Sequence, residues 1–375
     1  MDFSYNEEQQ MLKDSVGKFV SQDYDWDSRR AIVDSDSGYS SAHWKLFADL
    51  GWLTVPFLEA DGGLGGSAVD LIVVMEEMGK GLVVEPFMAN TVLAGGLLSA
   101  LADSGQKEAL LAPLMAGELQ LALAFAETEN RYELNQIACG GEINGDTLVI
   151  NGHKSMVLNG GVAQQLLVAI RTSGKPGDDS GISIALVDAS AAGVNRKEYT
   201  TVDGQRAADI WFESVSIPVT ALVGADGGAL SALQATIDRA ALAVCAEAVG
   251  AMQVSLTKTV EYSKIRKQFG VSLSTFQALQ HRMARMFMEV EQAKSILLMA
   301  AMAMDHAGGY APRELSAAKS RIGKAARKVS QESVQIHGGI GVTDDLDVGH
   351  YFKRLTSIQY LFGSTDWHTR RFAAA

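Results

Sequence analysis

The strongest constraint on the fold is a change of side-chain periodicity that occurs twice along the 375-residue chain. Up to about residue 117, apolar side chains recur at helical spacing, as at Leu12, Val16 and Phe19. From Leu121, short β-rich runs such as QLLVAI and GISIALVD alternate with turn residues, and from Ala229 long helical stretches return. This order lacks the βαβ alternation of a nicotinamide-binding Rossmann domain. It predicts an α+β protein.

Three domains follow from these boundaries: an N-terminal all-α domain (1–117), a middle β domain (118–225) and a C-terminal α-helical bundle (226–375). The first helix is predicted to begin at a capping box that starts at Ser4. Strands are expected to end before Ala229, and four helices are predicted to form a four-helix bundle. The predicted helices cover 229–264, 276–306, 313–336 and 346–361. The methionines of the second are typical of adaptable core or of a subunit interface: Met283, Met286, Met299, Met302 and Met304.

Composition excludes several classes of function. The formal charge is 32 − 44 = −12, which argues against a nucleic-acid-binding surface. Apolar runs such as Ile296 to Met304 are shorter than a bilayer span, and the N-terminus does not have the pattern of a signal peptide. Cys139 and Cys245 are far apart and outside any Cys/His cluster, so neither a metal site nor a disulfide framework is predicted. We expect a cytoplasmic protein without a membrane span.

Glycine-rich and basic segments are the candidates for ligand binding. DGGLGG (61–66) precedes a helix but lacks the Lys-Ser/Thr of a P-loop, so a turn is the preferred interpretation. In Arg266-Lys267-Gln268-Phe269-Gly270, the guanidinium could bind a pyrophosphate and the nearby Gln277 could add a polar contact. The same basic pair would also suit a helix C-terminus for electrostatic reasons alone.

A second glycine segment, Gln335-Ile336-His337-Gly338-Gly339-Ile340-Gly341, follows a predicted helix. Consecutive glycines let backbone amides approach a bound group closely. An ordinary helix C-cap followed by a turn explains the pattern equally well. His337 has no second histidine at i+4, so it is a poor candidate metal ligand.

Taken together, these segments resemble those of the acyl-CoA dehydrogenase family. The resemblance also includes LGWLTVPFLEADGGLGG in the first domain and FESVSIPVTALVG at the end of the second, and it extends over nearly the whole chain. It implies FAD as cofactor, an acyl-CoA thioester as substrate and electron-transfer flavoprotein as electron acceptor. The implied reaction is α,β-dehydrogenation, in which a carboxylate takes the α-proton while a hydride passes to the flavin. The implied FAD-binding residues are Arg266, Phe269, Gln277, Gln335, Gly338 and Gly339.

The family's usual catalytic base is absent from this sequence. Ungapped counting from Gln335 puts Phe362 at the position where most relatives have a glutamate. A few relatives carry the base on the first bundle helix, and that position holds Ala240 here. Asp238 and Glu247 are the remaining candidates, although Asp238 points about 200° away from Ala240 on an ideal helix. For both carboxylates, a structural or interface role is the default interpretation.

The middle domain also departs from the family pattern. Relatives have Thr-Glu-Pro-Gly-x-Gly-Ser-Asp against the flavin, where this chain reads AETENRYE (126–133). They also have a Trp-x-Thr strand beside flavin N5, where this chain has Met156-Val157-Leu158. Leucine cannot donate a hydrogen bond to N5. Flavin binding by this β domain alone is therefore not expected.

A chain that keeps the arginine and glycine segments but lacks the base is similar to the small subunit of pimeloyl-CoA dehydrogenase and other two-gene enzymes. That resemblance implies a second dehydrogenase-like subunit that carries the base. Two alternatives stay open: a homo-oligomeric enzyme with a displaced base, and a flavin-free scaffold subunit. Dicarboxylyl, branched and steroid side chains all remain open as the acyl group.

Overall fold

The computed structural model describes residues 5–375, and its α, β, α element order confirms the α+β fold class. The predicted cap Ser4 lies outside the described residues. The first helix is capped by Asn6, whose side chain accepts a hydrogen bond from the Gln9 amide at 2.8 Å. A π-helix, Phe87–Gly95, interrupts the helical segment. The α-helices that precede the sheet are α1 (Glu7–Gln22), α2 (Trp26–Val33), α3 (Ser41–Asp49), α4 (Ala68–Gly81), α5 (Gly96–Leu101) and α6 (Ser104–Met115).

The middle segment forms an eight-stranded sheet. Its strands are β1 (Leu121–Ala124), β2 (Gly140–Asn144), β3 (Thr147–Leu158), β4 (Gln165–Arg171), β5 (Ile182–Asp188), β6 (Val194–Thr200), β7 (Arg206–Pro218) and β8 (Leu222–Val223). They are ordered β6-β7-β3-β2-β4-β5-β8, with β1 parallel to β4. The centre of β4 (166–170) is buried throughout, as expected for a strand covered on both faces.

The C-terminal segment is helical. Its helices are α7 (Leu230–Ile265), α8 (Gln277–His306), α9 (Pro312–His337), α10 (Val348–Ile358) and α11 (Thr365–Ala374). The expectation that strands end before Ala229 was wrong, because the short strands β9 (Lys267–Gln268) and β10 (Val271–Ser272) form a hairpin between α7 and α8. A single tight turn at Gly270 is enough to pair two residues on each side.

Helix α7 is the one candidate membrane span among the described residues. It is long and apolar enough to cross a bilayer by length and composition, yet 78% of its most apolar window is buried inside the fold. Burial of this kind is typical of a core helix.

The chain divides into two compact units. The first contains the described residues up to Ala31, together with Ser67–Val83 and Ala241–Ala375; the second contains Ile32–Gly66 and Val84–Ala240. The three-domain boundaries inferred from the sequence stay a prediction.

Within the first unit, two glycines bring α4 and α7 into backbone contact. A Cβ atom on Gly250 would lie 1.9 Å from the Glu76 carbonyl oxygen, and one on Gly79 would lie 2.2 Å from that of Glu247. Because any side chain would separate the helices, both positions require glycine. This contact fixes the part of α7 that carries Glu247.

Candidate functional site

The predicted glycine turn begins where α9 ends. Gly338 has φ +69° and ψ −146°, a conformation that glycine adopts readily. His337 is buried and stacks on Tyr262 of α7, with ring centroids 4.4 Å apart. Its Nδ1 donates to the Ser333 carbonyl at 2.8 Å, and burial lowers its pKa. His337 therefore joins the C-terminal ends of α7 and α9 as a neutral ring, a structural role that its sequence position did not indicate.

Arg266 directly follows α7, and its backbone is hydrogen-bonded to Tyr262, the residue that stacks on His337. Its amide donates to the Tyr262 carbonyl at 2.8 Å, and its own carbonyl accepts from Leu273 at 2.9 Å. The guanidinium is exposed, and no hydrogen bond or ion pair engages it within residues 5–375. At the tip of the hairpin, Phe269 is 93% exposed at φ +53°. Its ring makes an edge-to-face contact with Phe276, with ring centroids 6.3 Å apart, and is otherwise open to solvent.

The two glutamines predicted to bind FAD are exposed, like Arg266. Gln277 and Gln335 are both exposed, and no side-chain hydrogen bond occupies either amide in the described part of the chain. A Cβ atom on Gly338 or Gly339 would meet nothing within 4 Å. The C-terminal segments thus present a guanidinium, two primary amides and an open glycine turn, which suit the pyrophosphate and polar groups of FAD.

The β domain fits a flavin ring less well. Leu158 offers only hydrocarbon where a donor to flavin N5 would be needed. Met156 is 45% exposed at φ +51°, inside an irregular stretch of β3, and its amide donates to Asp209 Oδ1 at 3.0 Å. Tyr199 donates to the same carboxylate oxygen at 3.1 Å, and burial raises the pKa of its phenol to about 12. The side chains of Met156 and Leu158 therefore offer no hydrogen-bond donor on this part of β3.

The segment that replaces the family's glycine turn is anchored by an ion pair. Glu127 accepts hydrogen bonds from the Ala138 and Cys139 amides at 2.9 and 3.1 Å. Lys154 of β3 is fully buried, and its Nζ lies 2.6 Å from Glu127 Oε1. This contact ties the segment after β1 to the sheet and leaves Glu127 engaged as a structural carboxylate.

Phe362 lies in a turn between α10 and α11. Two buried basic side chains, Lys319 and His368, bind the backbone of this turn. Lys319 of α9 is 1% exposed and donates to the Ile358 and Gly363 carbonyls at 2.8 and 3.0 Å. His368 Nε2 donates to the Phe362 carbonyl at 3.0 Å, and its Nδ1 accepts from Ser316. Burial lowers the pKa of Lys319 to about 8 and that of His368 to about 3. The turn is firmly positioned, but the side chain it presents is a phenyl ring at φ +56°.

The other candidate positions hold no available base. Ala240 is completely buried, and Asp238 is 4% exposed. Glu247 is also 4% exposed. Arg354 of α10 donates hydrogen bonds to both of its carboxylate oxygens, at 2.5 Å (Nε–Oε1) and 2.6 Å (Nη2–Oε2). A carboxylate held this way is stabilised in its ionised form and has no free oxygen facing a substrate. The geometry supports a structural role for Glu247.

Sequence reasoning did not identify Lys154, Lys319 or Arg354, which position the segments described above. No spacing rule links Glu247 to Arg354, 107 positions later. Cys139 and Cys245 are buried free thiols. Within residues 5–375, no group of three His, Cys, Asp or Glu side chains is arranged to hold a metal ion.

Comparison with known proteins identifies the family. Residues 6–118, 122–215 and 226–375 match the N-terminal, middle and C-terminal domains of acyl-CoA dehydrogenases. The chain is 30% identical to the acyl-CoA dehydrogenase IpdE2 of Mycolicibacterium smegmatis, covering 98% of this chain and 99% of that protein. The structure is similar to butyryl-CoA dehydrogenase of Megasphaera elsdenii (TM-score 0.90, 25% identity, 100% and 99% coverage). It is also similar to the Tcur3481–Tcur3483 steroid ACAD (TM-score 0.86, 26% identity, 98% and 97% coverage).

The domain models match almost the entire chain, and a relative of nearly equal length and solved structures of the same fold point to the same family. The exposed arginine, glutamines and glycine turn are consistent with this assignment. The chain belongs to the acyl-CoA dehydrogenase family, whose members are FAD-dependent oxidoreductases that act on the CH–CH bond of acyl-CoA.

Proposed function

We propose that this chain is one subunit of a heteromeric acyl-CoA dehydrogenase, in which it binds FAD across an interface while a partner subunit carries the base. The observation that carries the proposal is the turn at Phe362. Lys319 and His368 hold that turn, yet it presents an apolar side chain where proton abstraction needs a carboxylate.

The remaining carboxylates support the same conclusion. Glu247 is bound by Arg354 through both oxygens, and Asp238 is buried in the second unit. Abstraction of an α-proton requires a base within hydrogen-bond reach of that proton. A homo-oligomer with a displaced base would have to release one of these groups from its surroundings.

The C-terminal residues define what this chain contributes. Arg266 would pair with the pyrophosphate, Gln277 and Gln335 would add hydrogen bonds, and the Gly338 turn would let backbone amides approach. When bound, FAD supplies the hydride acceptor. Because these groups are exposed in the single chain, they suit a cofactor held mainly by another subunit. The two-component name of the Tcur3481–Tcur3483 ACAD is consistent with such an assembly. Electron-transfer flavoprotein stays the predicted electron acceptor.

Co-expression with a dehydrogenase-like chain encoded beside it tests this proposal. The expected product is a yellow complex of the two chains that oxidises an acyl-CoA, whereas this chain purified alone should contain little FAD. In the complex, Arg266→Ala should lower the FAD content, and the matched variant Lys267→Ala, which removes the adjacent exposed cation, should not. Unchanged FAD content in Arg266→Ala would instead favour a flavin-free scaffold.

A further inference from the structure

The glycine turn (Gly338–Val342) is joined to α10 by an acidic segment, residues 343–347. Hydrogen bonds continue from the turn into this segment. The amide and the hydroxyl of Thr343 both donate to the Ile340 carbonyl, at 3.2 and 2.8 Å. Because the turn and the segment are linked in this way, whatever holds the segment also affects the position of the turn.

The first turn of α10 contacts both the glycine turn and the acidic segment. Gly349 packs directly on the glycine turn, since a Cβ atom there would lie 3.1 Å from the Gly341 carbonyl oxygen. The next residue, His350, donates from Nε2 to Asp344 Oδ1 at 3.1 Å. Its ring packs against Trp26 of α2, with ring centroids 4.4 Å apart. Trp26, His350 and Asp344 thus form a contact, here called the His350 clasp, that connects the segment to two helices.

His350 lies among charges of both signs. The charged side chains on the elements around it are Asp344 and Asp347 of the segment, Lys353 of α10 and Arg29 of α2. Asp347 is ion-paired with Lys258 of α7 at 3.0 Å. A proton on the His350 ring is attracted by Asp344 but repelled by Lys353, which lies 3.6 Å from the same carboxylate oxygen. Burial of the ring lowers the pKa of His350, and the charges of Lys353 and Arg29 lower it further.

This lowered pKa sets the direction of the pH dependence. A histidine released into solvent titrates near pH 6.5, its ordinary value. Below that pH, the released ring binds a proton more readily than the clasped ring, so protonation favours release. The clasp is therefore fully formed above about pH 6.5 and weakens as the pH falls.

We infer that His350 is a positioning residue, which acts through Asp344 to hold the glycine turn in place for FAD and releases the turn in acid. The inference rests on the proposed function, in which this turn approaches FAD. Glycine residues have wide backbone freedom, so a glycine turn that is no longer held samples many conformations. Because ordering such a segment costs free energy on binding, release should lower the affinity for FAD.

Hydrogen–deuterium exchange of the chain alone tests the clasp without a cofactor. The measured quantity is the protection factor of the amides in 338–343, which removes the intrinsic effect of pH on exchange. In the wild type, protection should fall about 2- to 10-fold between about pH 7.5 and 5.5, the effect of one net hydrogen bond. His350→Gln cannot take up a proton, so its protection should not change in this way. The exposed His281→Gln on α8 should behave like the wild type. Equal pH dependence in the wild type and His350→Gln overturns the inference.

A second variant removes the acceptor of the clasp at an exposed position. The Asp344 side chain is 74% exposed, so Asp344→Ala should leave the fold intact. Above about pH 7, it should lower the protection of 338–343 about 2- to 10-fold. Asp345→Ala, at the neighbouring exposed carboxylate, is the matched control and should not. Equal protection in these two variants would likewise overturn the inference.

FAD binding by the co-expressed two-chain complex tests the consequence. The dissociation constant for FAD, measured by equilibrium dialysis, should rise about 2- to 10-fold in acid for the wild type and stay constant for His350→Gln. Arg266→Ala separates this inference from the proposed function. If Arg266→Ala weakens FAD binding while His350→Gln keeps the wild-type pH dependence, the inference is wrong and the proposed function stands. If Arg266→Ala also leaves FAD binding unchanged, both fail.

Discussion

Glu247 on α7 and Arg354 on α10 form a buried bidentate ion pair, with Nε–Oε1 and Nη2–Oε2 distances of 2.5 and 2.6 Å. Both side chains are about 5% exposed. Backbone contact between α4 and α7 at Gly79 and Gly250 fixes the helix that carries the glutamate. The pair therefore contributes to the internal structure of the first unit, and a carboxylate that looked like a candidate base is bound on both oxygens.

Removal of the glutamate should be costly. Glu247→Ala leaves the Arg354 guanidinium buried without its counter-charge, so we expect a loss of about 3 to 5 kcal/mol in the free energy of unfolding. Urea denaturation measures it. The exposed control on the same helix, Glu261→Ala, should change stability by less than about 0.5 kcal/mol. The double variant Glu247→Leu/Arg354→Met should recover much of the loss, because an apolar pair needs no counter-charge. Equal stability of Glu247→Ala and the control would contradict this role.

The close approach of α4 and α7 gives a second prediction. Gly250→Ala introduces a methyl group where 1.9 Å separates the Cβ position from the Glu76 carbonyl oxygen, so the helices must move apart. We expect destabilisation of about 1 to 3 kcal/mol in thermal or urea unfolding. Gly96→Ala in α5, whose Cβ would meet only Thr236 at 4.0 Å, should be neutral or slightly stabilising. Similar behaviour of the two variants would count against the contact.

His368 makes stability depend on pH. Burial lowers the pKa of its ring to about 3, whereas in the unfolded chain it should titrate near 6.5. Between these values the unfolded state binds the proton and the folded state does not, so stability falls as pH drops from about 6.5 towards 3. His368→Gln should flatten this dependence relative to the wild type, measured by urea unfolding at several pH values. The exposed His281→Gln should leave it unchanged. A wild-type slope in His368→Gln would show that other groups cause the acid sensitivity.

Phe362→Glu should place a carboxylate where most relatives have their base. Since Lys319 and His368 bind backbone carbonyls of the turn, they hold it regardless of the side chain at 362. In Phe362→Glu, we expect the α-protons of bound acyl-CoA to exchange with deuterated solvent about 100-fold faster than in Phe362→Gln. NMR of recovered acyl-CoA measures the exchange. Equal rates in the two variants would mean that the turn does not face the α-carbon.

Much of the fold could be predicted because long periodic segments are informative. Pro312 and the glycines around it mark the start of α9, and α8 begins within one residue of its predicted boundary. The π-helix Phe87–Gly95 was not predicted, since its almost uniformly apolar sequence has no helical period to detect. The hairpin at Gly270 has only two residues in each strand, too few for an alternating pattern.

The candidate site was likewise predictable where local sequence patterns define it, and not where it depends on contacts between distant helices. Arg266, Gln277 and the turn at Gly338 were predicted as binding residues, and the structure leaves them exposed, although their role stays a prediction. The contact between Glu247 and Arg354 depends on packing of distant helices. Local sequence patterns carry no information about such a contact, so the engaged state of Glu247 became evident only from the structure.

The most direct test is flavin reduction by this chain without a partner. The chain is supplied with excess FAD, because it should hold little of the cofactor when purified alone, and it is mixed anaerobically with a panel of dicarboxylyl, branched and steroid acyl-CoA thioesters. Flavin absorbance is followed by stopped flow. The same panel is applied to the co-expressed two-chain complex. If the base belongs to the partner, the complex bleaches with at least one thioester and the chain alone does not. Bleaching of the lone chain at the rate of the complex would place the base in this chain and contradict the account.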